Sequence, residues 1–278
     1  MQVNEITFTL IQSSLHWEDK AANLQMFEQK IESISQKTEV VILPEMFSTG
    51  FTMNAAVLSE TMDGPTVQWM KDISAKHKII LVGSLIIKEN LWPAAGSNGN
   101  EAFFNRLIWM LPNGQYGFYD KRHLFGFAGE DQSYSPGNKR FIASVNGWKI
   151  NLQVCYDLRF PVWSRQTRSN SNGDYTAEYD VLIYVANWPQ RRNHAWKTLL
   201  QARAIENQSY VIGVNRIGED GNGIAHNGDS MVVGPLGEVL YHKEKEEDVF
   251  TITLDKTKQL DVRNKFPFLK DGDGFAIY

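Results

Sequence analysis

Three residues of different chemical types, Glu45, Lys121 and Cys155, each come just after an apolar segment that has the composition of a β-strand. Glu45 follows VVIL and Pro44, Lys121 follows the second strand of a hairpin pattern, and Cys155 follows KINLQV. In sheets that are covered by helices, polar groups gather beyond the strand ends and converge in one crevice. We therefore expect the three side chains to lie close together.

This set of residues is sufficient for acyl transfer without a metal or cofactor. A thiol with a pKa of about 8.5 is only a few per cent nucleophilic thiolate at neutral pH. A carboxylate can accept its proton, and an ammonium group can stabilise both the thiolate and the oxyanion formed on a carbonyl. Each residue alone also has a simpler interpretation: a small buried hydrophobe for Cys155, a surface or capping carboxylate for Glu45, and a solvated charged turn for Lys121.

Composition excludes several other classes of function. The 278 residues carry a formal net charge of −4, which argues against nucleic-acid or anionic-membrane partners, since these need a basic surface. A single cysteine cannot form an intramolecular disulfide, and neither C-x-x-C nor H-E-x-x-H spacing occurs. The N-terminal segment does not resemble a signal peptide, and no apolar run approaches the ~20 residues of a membrane helix. We expect a cytoplasmic protein with no metal and no cofactor.

Strand and helix patterns alternate along the chain, with hairpins between them. Residues 102–124 and 141–157 each predict two strands joined by a turn, at 112–114 and at Asn146-Gly147 respectively. The mixture predicts mixed sheets with helices outside, rather than a simple doubly wound parallel sheet, within one domain of residues 1–278. Apart from the hairpins, the predicted strands include 5–12, 78–87 and 180–189, the predicted helices lie at 19–36, 64–76, near 160–168 and at 194–208, and 169–176 is predicted as a polar loop.

At the three chemical residues the sequence resembles the nitrilase superfamily of carbon–nitrogen hydrolases, whose catalytic triad is Glu-Lys-Cys. Glu45 lies in LPEMFSTGF, Lys121 in YDKRHLF and Cys155 in CYDLRFPVWSR, in the order of the family. The resemblance runs from about residue 5 to residue 255. Within the superfamily, CYDLRFP and ANWPQRRNHAW are most similar to the bacterial omega-amidases.

The resemblance implies an α/β fold, an αββα sandwich of two mixed β-sheets flanked by helices. It also implies a homodimer or larger homo-oligomer, with the C-terminal tail, residues 256–278, as a candidate for contacts across the dimer. A second glutamate of the family orients the lysine, and Glu130 in AGEDQSYSPG matches it. Asp131 is adjacent and stays an alternative.

The activity that the resemblance implies is hydrolysis of the terminal amide of 2-oxoglutaramate, 2-oxosuccinamate or succinamate through a cysteine thioester. The backbone N–H of Tyr156 would then hold the oxyanion together with Lys121. Alternatives are another hydrolase of the superfamily (an aliphatic amidase, an N-carbamoyl hydrolase or a nitrilase) or a binding module without catalysis.

Substrates of this kind carry a carboxylate at the far end, which needs a cation or several N–H donors. Arg159 is a candidate for that role or, equally, a structural partner of Asp157 or of another acid. Arg191 and Arg192 are weaker candidates. Trp188 is either an apolar wall of the pocket or a packed core residue.

Overall fold

The chain folds into strands and helices that alternate much as their patterns predict. A computed structural model describes residues 4–90, 101–166 and 177–277, so the loop predicted at 169–176 lies outside the described residues. Within these ranges the strands are β1 (Glu5–Gln12), β2 (Val40–Ile42), β3 (Ile80–Asn90), β4 (Glu101–Met110), β5 (Tyr116–Asp120), β6 (Ile142–Val145), β7 (Trp148–Val154), β8 (Val181–Ala186), β9 (Tyr210–Asn215), β10 (Ile217–Glu219), β11 (Ala225–Val233), β12 (Val239–Glu244) and β13 (Asp248–Asp255). The α-helices there are α1 (Lys20–Glu32), α2 (Ala55–Leu58), α3 (Pro65–His77), α4 (Glu130–Ser133), α5 (Pro161–Ser164), α6 (Asn193–Asn207) and α7 (Lys256–Lys265).

The strands form two mixed sheets. The first has the order β13-β1-β2-β3-β4-β5, with β1, β2 and β3 parallel. The second has the order β10-β11-β9-β8-β7-β6, with β12 also paired to β11 and with β7, β8 and β9 parallel. The two predicted hairpins are confirmed as the antiparallel pairs β4–β5 and β6–β7.

The two sheets share one hydrophobic core, and helices cover their outer faces. Leu10 of β1 and Leu152 of β7 belong to the same buried cluster between the sheets. On the outer side of the first sheet, Phe27 of α1 and Met70 of α3 bury their side chains. Leu200 of α6 packs against the second sheet. The arrangement is an αββα sandwich, which confirms the predicted fold class.

Local chemistry explains where several helices begin and end. Asp19 caps α1, since its Oδ1 accepts a hydrogen bond from the N–H of Ala22 at 3.0 Å. The helix predicted near 160–168 is wrong in extent, because α5 ends at Ser164 after four residues and Cys155–Arg159 before it form a 3₁₀ turn. Positions 167 and 168 lie outside the described residues. Phe160 has φ −112° and ψ 87°, since the proline ring of Pro161 disfavours a helical conformation in the residue before it.

Strand direction explains where functional residues can meet. β5 runs in the same direction as β3, because each is antiparallel to β4. The chain after β2 and after β5 therefore emerges at one end of the first sheet. The chain after β7, β8 and β9 emerges together at one end of the second.

The C-terminal helix α7 is anchored on its own chain. Asp180, just before β8, accepts a hydrogen bond from Lys256 Nζ at 2.8 Å and pairs with Arg263 at 3.3 Å. Leu269, further along, is buried. No helix in the described ranges combines the length and apolar character that crossing a lipid bilayer requires.

Candidate active site

A cavity of about 560 Å³ opens where the chain leaves the ends of these strands, and Glu45, Lys121 and Cys155 all line it. Glu130 is not part of the lining and is fully buried next to Lys121. The structure thus brings together the side chains that the strand-end pattern predicts to converge.

Two carboxylates hold the ammonium group of Lys121. Its Nζ lies 2.9 Å from Glu45 Oε1 and 2.9 Å from each carboxylate oxygen of Glu130. The backbone N–H of Phe125 donates to Glu130 Oε2 at 2.6 Å and orients that carboxylate. Asp131, the alternative to Glu130, is exposed to solvent. Glu130 is therefore the glutamate that contacts the lysine.

The charges of this cluster decide the protonation of the lysine. Burial on its own would lower the pKa of Lys121, but the nearby Glu130 and Glu45 carboxylates outweigh it and raise the pKa above its ordinary value. Burial raises the pKa of Glu130, and the Lys121 ammonium opposes that rise. Lys121 is consequently an ammonium ion at neutral pH, able to stabilise negative charge in the cavity.

Glu45 is fully buried and is held by two asparagines. Asn105 Nδ2 donates to Oε1 at 2.8 Å, and the backbone N–H of Asn187 donates to Oε2 at 2.8 Å. The side chain of Asn187 also donates to the carbonyl of Glu45 at 2.5 Å. Neither asparagine is among the residues that the sequence patterns predict for the site. The signals were a polar residue within the apolar stretch FFNRLIW and another directly after β8.

Cys155 starts a 3₁₀ turn that directly follows β7. Its φ is +43°, in the left-handed region that side chains other than glycine rarely adopt and that costs about 1–3 kcal/mol. Burial raises the pKa of the thiol, the Glu45 carboxylate adds to the rise, and Lys121 opposes it. The Glu45 carboxylate lines the same cavity as the thiol. The resting group is therefore a protonated thiol, and the Glu45 carboxylate is the group in this cavity that can accept its proton.

Tyr156 contributes both a ring and a backbone donor. Its ring lines the cavity and packs edge-on against Phe125 and Phe160, with centroids 5.0 and 5.1 Å away. Its N–H lies in the first turn of the 3₁₀ helix, where backbone donors have no acceptor within the helix. This N–H can therefore serve a ligand.

Three arginines, Arg159, Arg191 and Arg192, line the same cavity. The Arg159 guanidinium lies 4.8 Å from the ring centre of Trp188, and that of Arg192 lies 5.0 Å from the ring centre of Phe125. Burial lowers the pKa of Arg192, and the positive charge of Arg191 adds to that effect. In the part of the chain that the structure describes, none of the three forms an ion pair with a carboxylate. An anion bound here would relieve the repulsion among them.

The structure bears on the alternative roles of Arg159 and Trp188. Asp157, the acid offered as a partner for Arg159, instead accepts hydrogen bonds from Tyr119 and His123. Trp188 is 3% exposed, lines the cavity and packs against Trp196 at 5.4 Å between centroids. It is both a cavity wall and a packed core residue.

One group of potential metal ligands occurs among the described residues, away from the cavity. Single ligand atoms of Asp229, His242 and Glu244 lie within 4.8 Å of one another. His242 Nε2 and Lys197 Nζ already contact Asp229 Oδ1 at 2.7 and 3.3 Å. A cation would have to displace both.

Comparisons with known proteins agree with this geometry. The family model described as carbon-nitrogen hydrolase matches residues 7–260. The chain is 41% identical to omega-amidase YafV of Escherichia coli (strain K12) over 98% of this chain and 99% of that protein. It is 31% identical to the 2-oxoglutaramate amidase of Bacillus subtilis (strain 168), over 95% of this chain and 96% of that one. The crystal structure of XC1258 from Xanthomonas campestris, a CN-hydrolase superfamily protein with an arsenic adduct in the active site, is similar with a TM-score of 0.90, 39% identity and coverage of 99% of this chain and 100% of that chain.

Proposed function

Because the chain belongs to the carbon–nitrogen hydrolase family, we propose that it is an omega-amidase, which releases ammonia from the terminal amide of a dicarboxylate mono-amide. Suitable substrates are 2-oxoglutaramate, 2-oxosuccinamate and succinamate. The observation that carries this proposal is the convergence of the Cys155 thiol, the Glu45 carboxylate and the Lys121 ammonium in one cavity, which three arginines also line. The relatives named omega-amidase and 2-oxoglutaramate amidase support the same substrate class.

The first half of the reaction forms a thioester. The sulfur of Cys155 attacks the amide carbon while its proton moves to the Glu45 carboxylate, which lines the same cavity. The carbonyl oxygen becomes an oxyanion that accepts hydrogen bonds from Lys121 Nζ and the N–H of Tyr156. When the intermediate collapses, the C–N bond breaks and Glu45 returns its proton to the leaving nitrogen, which departs as ammonia.

The second half hydrolyses the thioester. Water attacks the acyl carbon and gives a proton to Glu45, and the same two donors stabilise the new oxyanion. Collapse breaks the C–S bond, the dicarboxylate leaves, and the thiolate of Cys155 regains the proton from Glu45. Removal of one oxyanion donor typically costs about 10²–10³ in turnover. The lysine must therefore stay charged and in place, which is the role we assign to Glu130.

The arginines supply the specificity for a second carboxylate. A carboxylate beside a guanidinium forms charge-assisted hydrogen bonds, the strong class in proteins. Arg159, lying over the Trp188 ring, is our first candidate for this contact, with Arg192 beside the Phe125 ring as the second. Trp188 would form the apolar wall along the methylene groups of the substrate.

The remaining features of the proposal concern the whole protein. We propose a single domain of residues 1–278 that acts in the cytoplasm as a homodimer or larger homo-oligomer and requires no cofactor. Leu260 in α7 and Phe268 after it are 43% and 60% exposed although the helix itself is anchored. These exposed apolar side chains support a role of the tail, residues 256–278, in the dimer, where a second copy would bury them.

The test is ammonia release from 2-oxoglutaramate and succinamate by wild type and by Cys155→Ala. Wild type should release ammonia, Cys155→Ala should release none, and mass spectrometry of quenched wild type should detect the acyl group on Cys155. Butyramide, an N-carbamoyl amino acid and an aliphatic nitrile serve as comparison substrates. A higher kcat/KM on one of these would reject the omega-amidase in favour of another hydrolase of the family. Binding without turnover of any substrate would favour the non-catalytic alternative.

A further inference from the structure

Asp157, two residues after Cys155, is fully buried, and its carboxylate joins two separate segments of the chain. Its Oδ2 accepts hydrogen bonds from the Tyr119 hydroxyl at 2.8 Å and from the N–H of Val154 at 3.0 Å. Its Oδ1 accepts from the backbone N–H of His123 at 2.9 Å and from His123 Nδ1 at 2.8 Å. One carboxylate therefore receives four donors, and it does not line the cavity.

These donors flank the two reactive residues. Tyr119 and His123 lie two positions before and two positions after Lys121, and Val154 directly precedes Cys155. The N–H of Lys121 itself donates to the carbonyl of Asn105 at 3.0 Å. The carbonyl of Lys121 accepts from the N–H of Gly137 at 2.9 Å. The side chains two positions to either side of the lysine bond to Asp157 of the cysteine turn.

The surroundings keep each donor in its orientation. The Tyr119 hydroxyl accepts from Trp163 Nε1 at 2.8 Å and from the N–H of Arg122 at 3.2 Å, so its own hydrogen points to Asp157. Burial raises the pKa of Tyr119, and the charge of Asp157 adds to the rise, so the phenol keeps this hydrogen. The His123 ring stacks on Phe160 with centroids 3.8 Å apart and planes 6° apart.

The turn that carries Cys155 needs external support, because its φ of +43° is not a conformation that the local chain prefers. The Val154 N–H bonded to Asp157 holds one end of the turn. Arg203 NH2, from α6, donates to the carbonyl of Leu158 at 2.6 Å and holds the other. Of these two supporting residues, Asp157 is the one that also bonds to the segment around Lys121.

We propose that Asp157 is a positioning residue, which sets the separation between the Lys121 ammonium and the Cys155 sulfur through Tyr119 and His123. This inference rests on the amide hydrolysis proposed above. Asp157 touches neither substrate nor the reacting atoms. It acts by keeping the Lys121 ammonium and the Cys155 sulfur at a fixed separation while Glu45 transfers the proton.

The first test is Asp157→Asn, which preserves shape but puts an NH₂ group opposite one pair of donors. Since a misplacement of about 1 Å can cost about 10²-fold in rate, kcat should fall by about that factor while KM stays unchanged. Asp180→Asn is the matched control, because Asp180 is also a buried carboxylate with several donors but lies outside the cavity lining. The control should lose stability and keep its kcat.

The second test reads the thiol without any substrate. Iodoacetamide alkylates the thiolate of Cys155, with the new S–C bond displacing iodide, so the rate against pH reports the pKa of the thiol. Lys121 lowers the pKa of that thiol, and a displaced lysine should therefore raise it in Asp157→Asn and slow alkylation at neutral pH about tenfold. In a Lys121→Met background Asp157→Asn should have little further effect. The alkylation rate needs no substrate, so it can be interpreted even if the protein releases no ammonia from the proposed amides.

A milder variant, Tyr119→Phe, keeps the inference testable if Asp157→Asn does not fold. Tyr119→Phe removes one hydroxyl and should lower kcat by about tenfold, whereas Tyr210→Phe removes a hydroxyl that donates to the carbonyl of Asp255 at 2.9 Å and should not. The inference is overturned by folded Asp157→Asn and Tyr119→Phe with wild-type kcat and alkylation profiles. A rise in KM alone, or equal effects of Asp157→Asn with and without Lys121, would overturn it as well.

Discussion

Replacement of Glu130 by glutamine should abolish most of the turnover while leaving substrate binding nearly unchanged. Both oxygens of Glu130 lie 2.9 Å from Lys121 Nζ, and Oε2 also accepts from Phe125 N–H. An amide has only one acceptor atom, so its NH₂ group must face either the ammonium or the backbone donor. The lysine then loses a charge partner and meets a competing donor.

The expected fall in kcat follows from comparing the Lys121–Glu130 attraction with the contribution of one oxyanion donor to the rate. At an effective dielectric constant of about 20, one charge pair at 2.9 Å is worth about 6 kcal/mol before desolvation. This gross attraction exceeds the 2.7–4 kcal/mol, roughly, that one oxyanion donor contributes to the rate. Its loss leaves Glu45 as the one carboxylate partner described for Lys121 and lets the ammonium shift away from the oxyanion. We therefore expect kcat to fall by up to about 10²–10³, the value for complete loss of the donor. Glu130 is fully buried and does not line the cavity, so KM should stay unchanged.

The assay is steady-state ammonia release from 2-oxoglutaramate, with thermal unfolding as a check on folding. Asp131→Asn is the matched control, because the exposed neighbouring carboxylate should be replaceable without effect. If Glu130→Gln keeps a kcat within about threefold of wild type, or changes KM alone, the assignment of Glu130 as the residue that holds the lysine is refuted.

Two further outcomes are expected. Arg159→Met should lower kcat/KM for succinamate by about 10–150-fold, which corresponds to the loss of a hydrogen bond to a charged group. The kcat/KM for neutral butyramide should stay unaffected. Arg191→Met, at an exposed arginine, should change kcat/KM for either substrate less. Burial, and then the charge of Arg216, lowers the pKa of His226 to about 4 from 6.5. Between these values the unfolded chain binds the proton and the folded one does not, so stability should fall as pH drops through this window, by at most about 3 kcal/mol. Urea unfolding of wild type against His226→Gln should show a flatter pH dependence in the variant; parallel curves would contradict it.

The sequence by itself determined the local elements and the chemical inventory. Hairpins at 102–124 and 141–157 were predictable because turn residues such as Asn146-Gly147 favour one backbone geometry regardless of the rest of the chain. Glu45, Lys121 and Cys155 could be singled out because each follows an apolar strand, and polar residues after strand ends tend to converge. Their family resemblance added an order and a likeness of flanking residues. The extent of the helix after Cys155 was the local feature that prediction missed.

The partners of each side chain were decided only by the tertiary structure. The family resemblance favours Glu130 and leaves the adjacent Asp131 as an alternative, and the structure separates them, since one contacts Lys121 and the other is exposed. The N–H of Asn187 reaches a carboxylate 142 positions earlier in the chain. Asp157 bonds to Tyr119 and His123 rather than to the nearby Arg159. The reason is physical: a strand pattern specifies which residues face inward, but sheet order and register decide which of them meet.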